Sequence, residues 1–445
     1  MTDRRNSRFK RLAKEGSWIV AGQAAAVVGA LVLVRVLTER LDPAQYGQLA
    51  LGLTVAGLVN QTVLGGISAG IARHYSIACE RLGLRAYLMD SARLLGYATI
   101  AVVIVGLTVM VNLIVLGYPQ WLGLVAAAII FSLLSGFTGA LNGIQNAARQ
   151  RAAAALNGGI DAWLRIGLAV AVMLLLGANS TAVVIGYCCS SFVVLLWQFF
   201  MLQKTMMGRK EQPGSAGGHC FLRQMWDFSW PFSAWGIFSW LQQASDRWAL
   251  AGLGQPEDVG LYAVLSQLGY APVAMVTTMA MTFLAPILYQ RSGDASDSLR
   301  NATVHRLAWE MTFGSLVVTV LGGLTAFIAH EWLFRILVSA EYRHVSHLLP
   351  WMVMAGGIFA AGQILALKLL SEMKSARMAT AKIVTALLGV AFNVYGASVA
   401  GLTGVVAALL AFAVVYLAWM MWLACERPHL HGQMAFMTPG LKSEE

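Results

Sequence analysis

Charge is what this sequence most lacks. Asp, Glu, Lys and Arg together make 12% of its 445 residues, about half of the ~25% usual for a soluble domain. Long hydrophilic segments are missing too, and the longest, residues 203–228, is too short to fold as a soluble domain. Cysteine is limited to Cys79, Cys188, Cys189, Cys220 and Cys425, at no metal-ligand or disulfide spacing. The adjacent Cys188 and Cys189 read as small helix-packing residues. No Gly-x-x-x-x-Gly-Lys-Ser/Thr string occurs, which excludes nucleotide hydrolysis at a P-loop of this chain. His330, Glu331, His344 and His347 read as solvated residues of a loop, so no metal and no cofactor is expected. Gly66-Ile-Ser-Ala-Gly70 fits a nucleophile-elbow string but has no strand before it, and its small residues suit close helix packing instead.

What is abundant is apolar sequence, at 58%. Runs of the roughly 20 residues that a bilayer-crossing helix needs recur from Trp18 almost to the end. The expectation is an all-α polytopic membrane protein of about twelve transmembrane helices. The spans fall near 17–37, 48–70, 93–116, 121–141, 154–176, 182–202, 229–251, 260–288, 309–329, 348–370, 381–400 and 403–424. The eighth contains Pro272 and Pro286, which predict a kink or a tilt. The basic start, Arg4 to Lys14, runs into an apolar stretch too long for a signal peptide and is expected to stay as the first helix.

The net charge of +10 does not point to nucleic acid, because the basic residues sit in short loops. With the N-terminus in the cytoplasm, the other side receives only Arg35, Arg40, Arg247, Arg335 and Arg343 of the 31 Lys and Arg, and Arg165 lies within a span. That bias places both ends inside.

Residues 203–228 follow the sixth span and divide the chain into six plus six. A shift of 212 residues aligns Phe9 with Phe221, Arg11 with Arg223, Ser17-Trp18 with Ser229-Trp230, and Arg35 with Arg247. One residue of slip then aligns Gly47 with Gly260. Both copies enter the membrane from the same side, so the repeat is parallel. The expected units are a six-helix bundle over 1–203, a cytoplasmic linker at 204–228, a second, pseudo-symmetric six-helix bundle over 229–424, and a cytoplasmic tail at 425–445. Two such bundles around a cleft form an alternating-access architecture.

Gly16-Ser17-Trp18, Arg35-Val-Leu-Thr and Leu41-Asp42-Pro43-Ala44-Gln45-Tyr46-Gly47 resemble polysaccharide flippases of the Wzx type, as do Ser245-Asp246-Arg247-Trp248 and Glu257-Asp258-Val259-Gly260-Leu261-Tyr262-Ala263. Asp161-Ala-Trp-Leu-Arg165 carries the likeness more weakly. The resemblance implies the multidrug/oligosaccharidyl-lipid/polysaccharide exporter superfamily and the bacterial inner membrane. It also implies a substrate, an undecaprenyl-diphosphate-linked oligosaccharide turned from the inner to the outer leaflet. A polysaccharide polymerase is a possible partner. The competing readings are an ion-coupled multidrug extruder of the same superfamily and a membrane glycan polymerase or ligase. The outer loops are short for such an enzyme, so a transporter is expected.

Ionisable residues inside a span are costly, about 2.5–3.5 kcal/mol on insertion scales, and each needs a reason. Arg165, with Asp161 one turn earlier on the same face, reads either as a cavity cation for phosphate or as half of a structural pair. Arg35 and Arg247 read either as a matched pair flanking the cleft or as residues that snorkel to the interface. Asp246 reads as the partner of another helix or as a protonatable group for ion coupling. Lys368 reads as a positive-inside anchor. Asn60, Gln61, Gln242, Gln243, Gln267, Gln363 and Asn393 place amides within spans, suited equally to sugar hydroxyls and to interhelical hydrogen bonds.

Overall fold

In lipid every backbone polar group must find its partner within the protein, so apolar runs of this length resolve as helices. The computed structural model describes residues 22, 24–80, 83–148, 150–207, 221–292, 298–372 and 375–425, and no strand occurs among them. The expected start of the first span and the middle of the central linker lie outside the described residues.

Helix α1 covers Ala24–Thr38. Helix α2 is continuous over Pro43–Glu80, with a π turn at Asn60–Leu64. Then come α3 (Leu84–Val115), α4 (Leu122–Ala147), α5 (Arg151–Leu176), α6 (Ser180–Met207) and α7 (Phe221–Leu253). Helix α8 runs over 256–292 with its own π turn at Ser266–Tyr270. Helix α9 (Ser298–Leu337) is followed by a 3-10 segment, Ala340–Leu348, and by α10 (Leu349–Ser371). The run Ser375–Cys425 is two helices, α11 and α12, divided at Ala400 and Gly401. Gly401 makes that division with φ 55°, a left-handed conformation that costs glycine little.

Nine helices among the described residues are long and apolar enough to cross a membrane, counting α11 and α12 together. Most extend past the apolar runs that announced them, because a helix continues until a cap or a breaker stops it. Where a kink or tilt was expected, α8 carries a π turn directly before Pro272. Pro272 lacks the N–H that would bond to Leu268, and the wider turn directly before it accommodates the loss.

Helices α2 to α6 pack against one another, and α8 to α12 form a second group. Helix α7 touches both, lying against α2 and α3 as well as against the α11–α12 pair. The Gly66–Gly70 string lies on α2 against Ser229 and Ser233 of α7. Apolar side chains of α3 such as Ile100, Ile104, Leu107 and Val111 point outward, where lipid and not protein is their neighbour. Hydrocarbon gives no hydrophobic drive between helices, so van der Waals fit and polar contacts hold the groups together. One buried cluster spans both groups, joining Val34, Leu49 and Ala128 to Leu250, Val259, Leu265 and Val338.

Candidate functional site

The two sequence motifs that repeat across the halves are helix starts. At α2, Asp42 is the N-cap, its Oδ1 accepting the Gln45 N–H at 2.7 Å, and Pro43 opens the first turn. At α8, Gln255 and Asp258 form a capping box around Pro256. Proline fits the first turn, whose N–H needs no helical partner. Four residues after each proline stands a glycine, and there the helices cross: a Cβ on Gly47 would lie 2.8 Å from the Pro256 carbonyl oxygen, and one on Gly260 only 1.9 Å from that of Pro43. The helices therefore meet backbone to backbone and close one end of the seam. Around them Tyr342 stacks edge-on to Tyr46 at 5.9 Å and donates its hydroxyl to the Leu41 carbonyl at 2.9 Å.

Beyond that crossing lies a cavity of about 560 Å³. Its walls come from α1, α2, α6, α7, α8 and α12, so it sits between the two helix groups. Its charged residues are Asp246 and Arg247. Asp246 is buried, accepting the Tyr262 hydroxyl at 2.5 Å and the Arg247 backbone N–H at 2.7 Å. It thus serves as a partner for another helix. Arg247 is half-buried, and its Nε is buried without a hydrogen-bond partner. A second groove of about 600 Å³, between α1 and α5, is lined without a charged side chain.

Arg35, which the repeat pairs with Arg247, is placed differently. It donates to the Val338 carbonyl at 2.7 Å and pairs with Glu39. Val338 follows the last residue of α9, so Arg35 caps the carbonyl end of a helix in the other group. Arg165 sits within the first group. Its guanidinium meets Asp161 at 2.5 Å and lies 5.2 Å from the Phe131 ring centre and 5.9 Å from that of Tyr187. Ser190 donates to the other carboxylate oxygen of Asp161 at 2.9 Å. Tyr187 lines the cavity, so Arg165 stands one ring behind the wall.

Some of the amides bond between helices, some line the cavity, and Gln243 does both, accepting from Gln61. Asn60 donates to Ser135 at 3.0 Å, Asn393 to Ser245 at 2.9 Å, and Gln363 accepts from Lys382 at 3.5 Å. Those three link helices. Gln242, Gln243 and Gln267 line the cavity. Sequence reasoning passed over the tyrosines there, Tyr46, Tyr187, Tyr262 and Tyr270, although Tyr46 and Tyr262 stand inside the repeated motifs. Lys368 is not a solvated anchor. It is 1% exposed, pairs with Glu372 at 3.0 Å and donates to the Ala424 carbonyl at 3.0 Å, tying α10 to the end of α12. No group of histidines, cysteines and carboxylates that could hold a metal occurs among the described residues.

Residues 12–292 match the sequence profile of the family described as polysaccharide biosynthesis protein. No curated protein sequence matches the chain. Among solved structures, an inward-facing multidrug resistance MATE family transporter of the MOP superfamily superposes with a TM-score of 0.60 at 14% identity, covering 90% of this chain and 94% of that one. The Vibrio cholerae MATE transporter VcmN in its bent form gives 0.57 at 16% identity over 93% and 96%. An outward-facing MATE family transporter gives 0.52 at 17% over 92% and 96%. The fold is that of the MATE transporters, and the chain is a multi-pass membrane protein.

Proposed function

The chain belongs to the polysaccharide biosynthesis protein family, and on that premise we propose that it is a flippase for an undecaprenyl-diphosphate-linked oligosaccharide. The repeat unit of an O-antigen or exopolysaccharide would cross the bacterial inner membrane by alternating access between residues 1–203 and 229–424. Twelve crossings with both ends in the cytoplasm put the Gly47–Gly260 crossing on the outer side. The cavity then awaits its load from within, and a polysaccharide polymerase would consume the units delivered. No bond of the substrate is made or broken in this reading, so the protein is a transporter and not an enzyme.

The observation that carries the reading is Arg247. It is a cation on the wall of a cavity between the helix groups, with a buried donor left unpaired. A diphosphate is the natural complement of a guanidinium fork. Arg165, behind Tyr187, adds positive potential from within the first group, and Asp161 balances it while the cavity is empty. Arg35 acts from the closed end, where its contact with Val338 must break when the outer side opens.

A multidrug extruder for organic cations is the second reading. It needs an available carboxylate in the cavity, whereas Asp246 is already engaged by Tyr262 and Arg247. That favours an anionic load. The test is to delete the gene and measure lipid-linked repeat units on each leaflet, with rescue by wild type and by Arg247→Gln. Accumulation on the cytoplasmic leaflet that only the wild type cures supports the flippase. Normal outer-leaflet delivery in the deletion, in a strain with no second exporter, rejects it.

A further inference from the structure

Each of the two π turns places a glutamine at its second residue, Gln61 in Asn60–Leu64 and Gln267 in Ser266–Tyr270. A π turn inserts one residue into a helix and so rotates the remainder of that helix by roughly 100°. Such turns re-aim side chains and concentrate at functional sites. Here both lie on helices that wall the cavity. Gln267 faces it directly. Gln61 donates to the Oε1 of Gln243 at 3.2 Å, while its own Oε1 is buried without a partner.

The remaining members come from α7. Ser239, Gln243 and Arg247 succeed one another at four-residue steps, so they share one helix face at a rise of about 6 Å per step. Gln243 donates to the Ser239 hydroxyl at 3.1 Å. Gln242 and Gln267 hold no hydrogen bond to another described residue. These uncommitted amides contrast with Asn60, Asn393 and Gln363, whose bonds tie helix to helix. An amide offers two donors and an acceptor without formal charge, the complement of neighbouring sugar hydroxyls. Gln243 and Gln267 are exposed to the cavity, so a glycan there would exchange their water for its own hydroxyls.

We propose that Gln242, Gln243 and Gln267, backed by Gln61, form a sugar-binding subsite that takes the hexose joined directly to the diphosphate. This rests on the reading of Arg247 as the diphosphate-binding cation. In a glycosyl diphosphate the first ring follows the phosphate through one ester oxygen. On α7 the amide Gln243 likewise stands one helical turn from Arg247, on the side away from the Gly47–Gly260 crossing. The subsite lies further from the Gly47–Gly260 crossing than the phosphate site does, so the glycan would extend toward the end by which the lipid enters.

The experiment titrates purified full-length protein in nanodiscs and follows intrinsic tryptophan fluorescence, to which Trp240 and Trp248 on α7 contribute. The probes are a polyprenyl diphosphate and the same lipid carrying one hexose or one N-acetylhexosamine. Wild type should bind the better of the sugar-bearing lipids about tenfold more tightly than the sugar-free one, the size expected from one or two hydrogen bonds. Gln243→Leu combined with Gln267→Leu should abolish that preference and leave sugar-free binding within about twofold. Arg247→Gln should weaken all lipids by the same factor. Gln267→Leu alone, which breaks no hydrogen bond of the fold, should lower the preference in a protein of unchanged melting temperature. A preference that survives the double substitution overturns the subsite. So does equal binding of all lipids by wild type, which keeps the diphosphate reading if Arg247→Gln still weakens them. Indifference of every lipid to Arg247→Gln rejects the diphosphate reading itself, and the subsite with it.

Discussion

Gly47 and Gly260 face each other with reciprocal geometry: a Cβ on either would lie 3.0 Å from the backbone nitrogen of the other. Each thus makes to the other the contact that it receives. Side chains here would force the helices apart. Gly260→Ala, whose Cβ would meet the Pro43 carbonyl oxygen at 1.9 Å, should disfavour the closed end by about 1–3 kcal/mol, the usual cost of overpacking. Spin labels at Ala44 and Glu257 should report a longer distance in the variant. An unchanged distribution would show that the crossing is not what closes the seam.

Arg247→Gln removes the cation from the cavity wall and keeps the backbone N–H that bonds Asp246. Loss of a charge-assisted hydrogen bond costs about 1.5–3 kcal/mol, so lipid diphosphate binding should weaken about 10- to 150-fold. Arg35→Gln should act on stability instead. It lowers the melting temperature by giving up the Val338 carbonyl, and it leaves the cavity lining unaltered. Equal loss of binding in both variants would mean that the two arginines share one role.

The pair Asp161–Arg165 is partly buried, at 20% and 31% side-chain exposure. Each single substitution, Asp161→Asn or Arg165→Gln, should cost about 1–3 kcal/mol of stability. The double variant should cost less than the sum, because neither charge is then left alone. Additive losses in a thermal-melt cycle would show that the two charges do not depend on each other.

Lys368 is enclosed at the junction of α10 and α12. Replacing it with Met removes the buried half of its ion pair with Glu372 and leaves the Ala424 carbonyl without its donor. Breaking a buried ion pair typically costs about 3–5 kcal/mol. Melting in detergent should drop accordingly. A variant as stable as wild type would return Lys368 to the solvated surface.

Much of the fold was legible because membrane burial writes itself in composition. Runs without charge gave the helices, and the Pro43 and Pro256 motifs marked where two of them begin. The paired glycines, aligned by the repeat, came to lie against each other. The candidate site was legible only as a set of residue types. Arg35 and Arg247 are equivalent in sequence, yet one caps a helix end and the other lines the cavity, because the loop after α9 reaches Arg35. The amides likewise read alike until contacts separated Asn60 and Asn393, spent between helices, from Gln242 and Gln267, which face the cavity.

The sequence by itself determined that this chain lives in a membrane as a bundle of helices, since hydrocarbon leaves a run of apolar residues no other way to satisfy its backbone. Only the tertiary structure decided which polar groups are committed. A hydrogen bond between residues as far apart as Arg35 and Val338, or Gln61 and Gln243, depends on where helices cross. No local pattern records that.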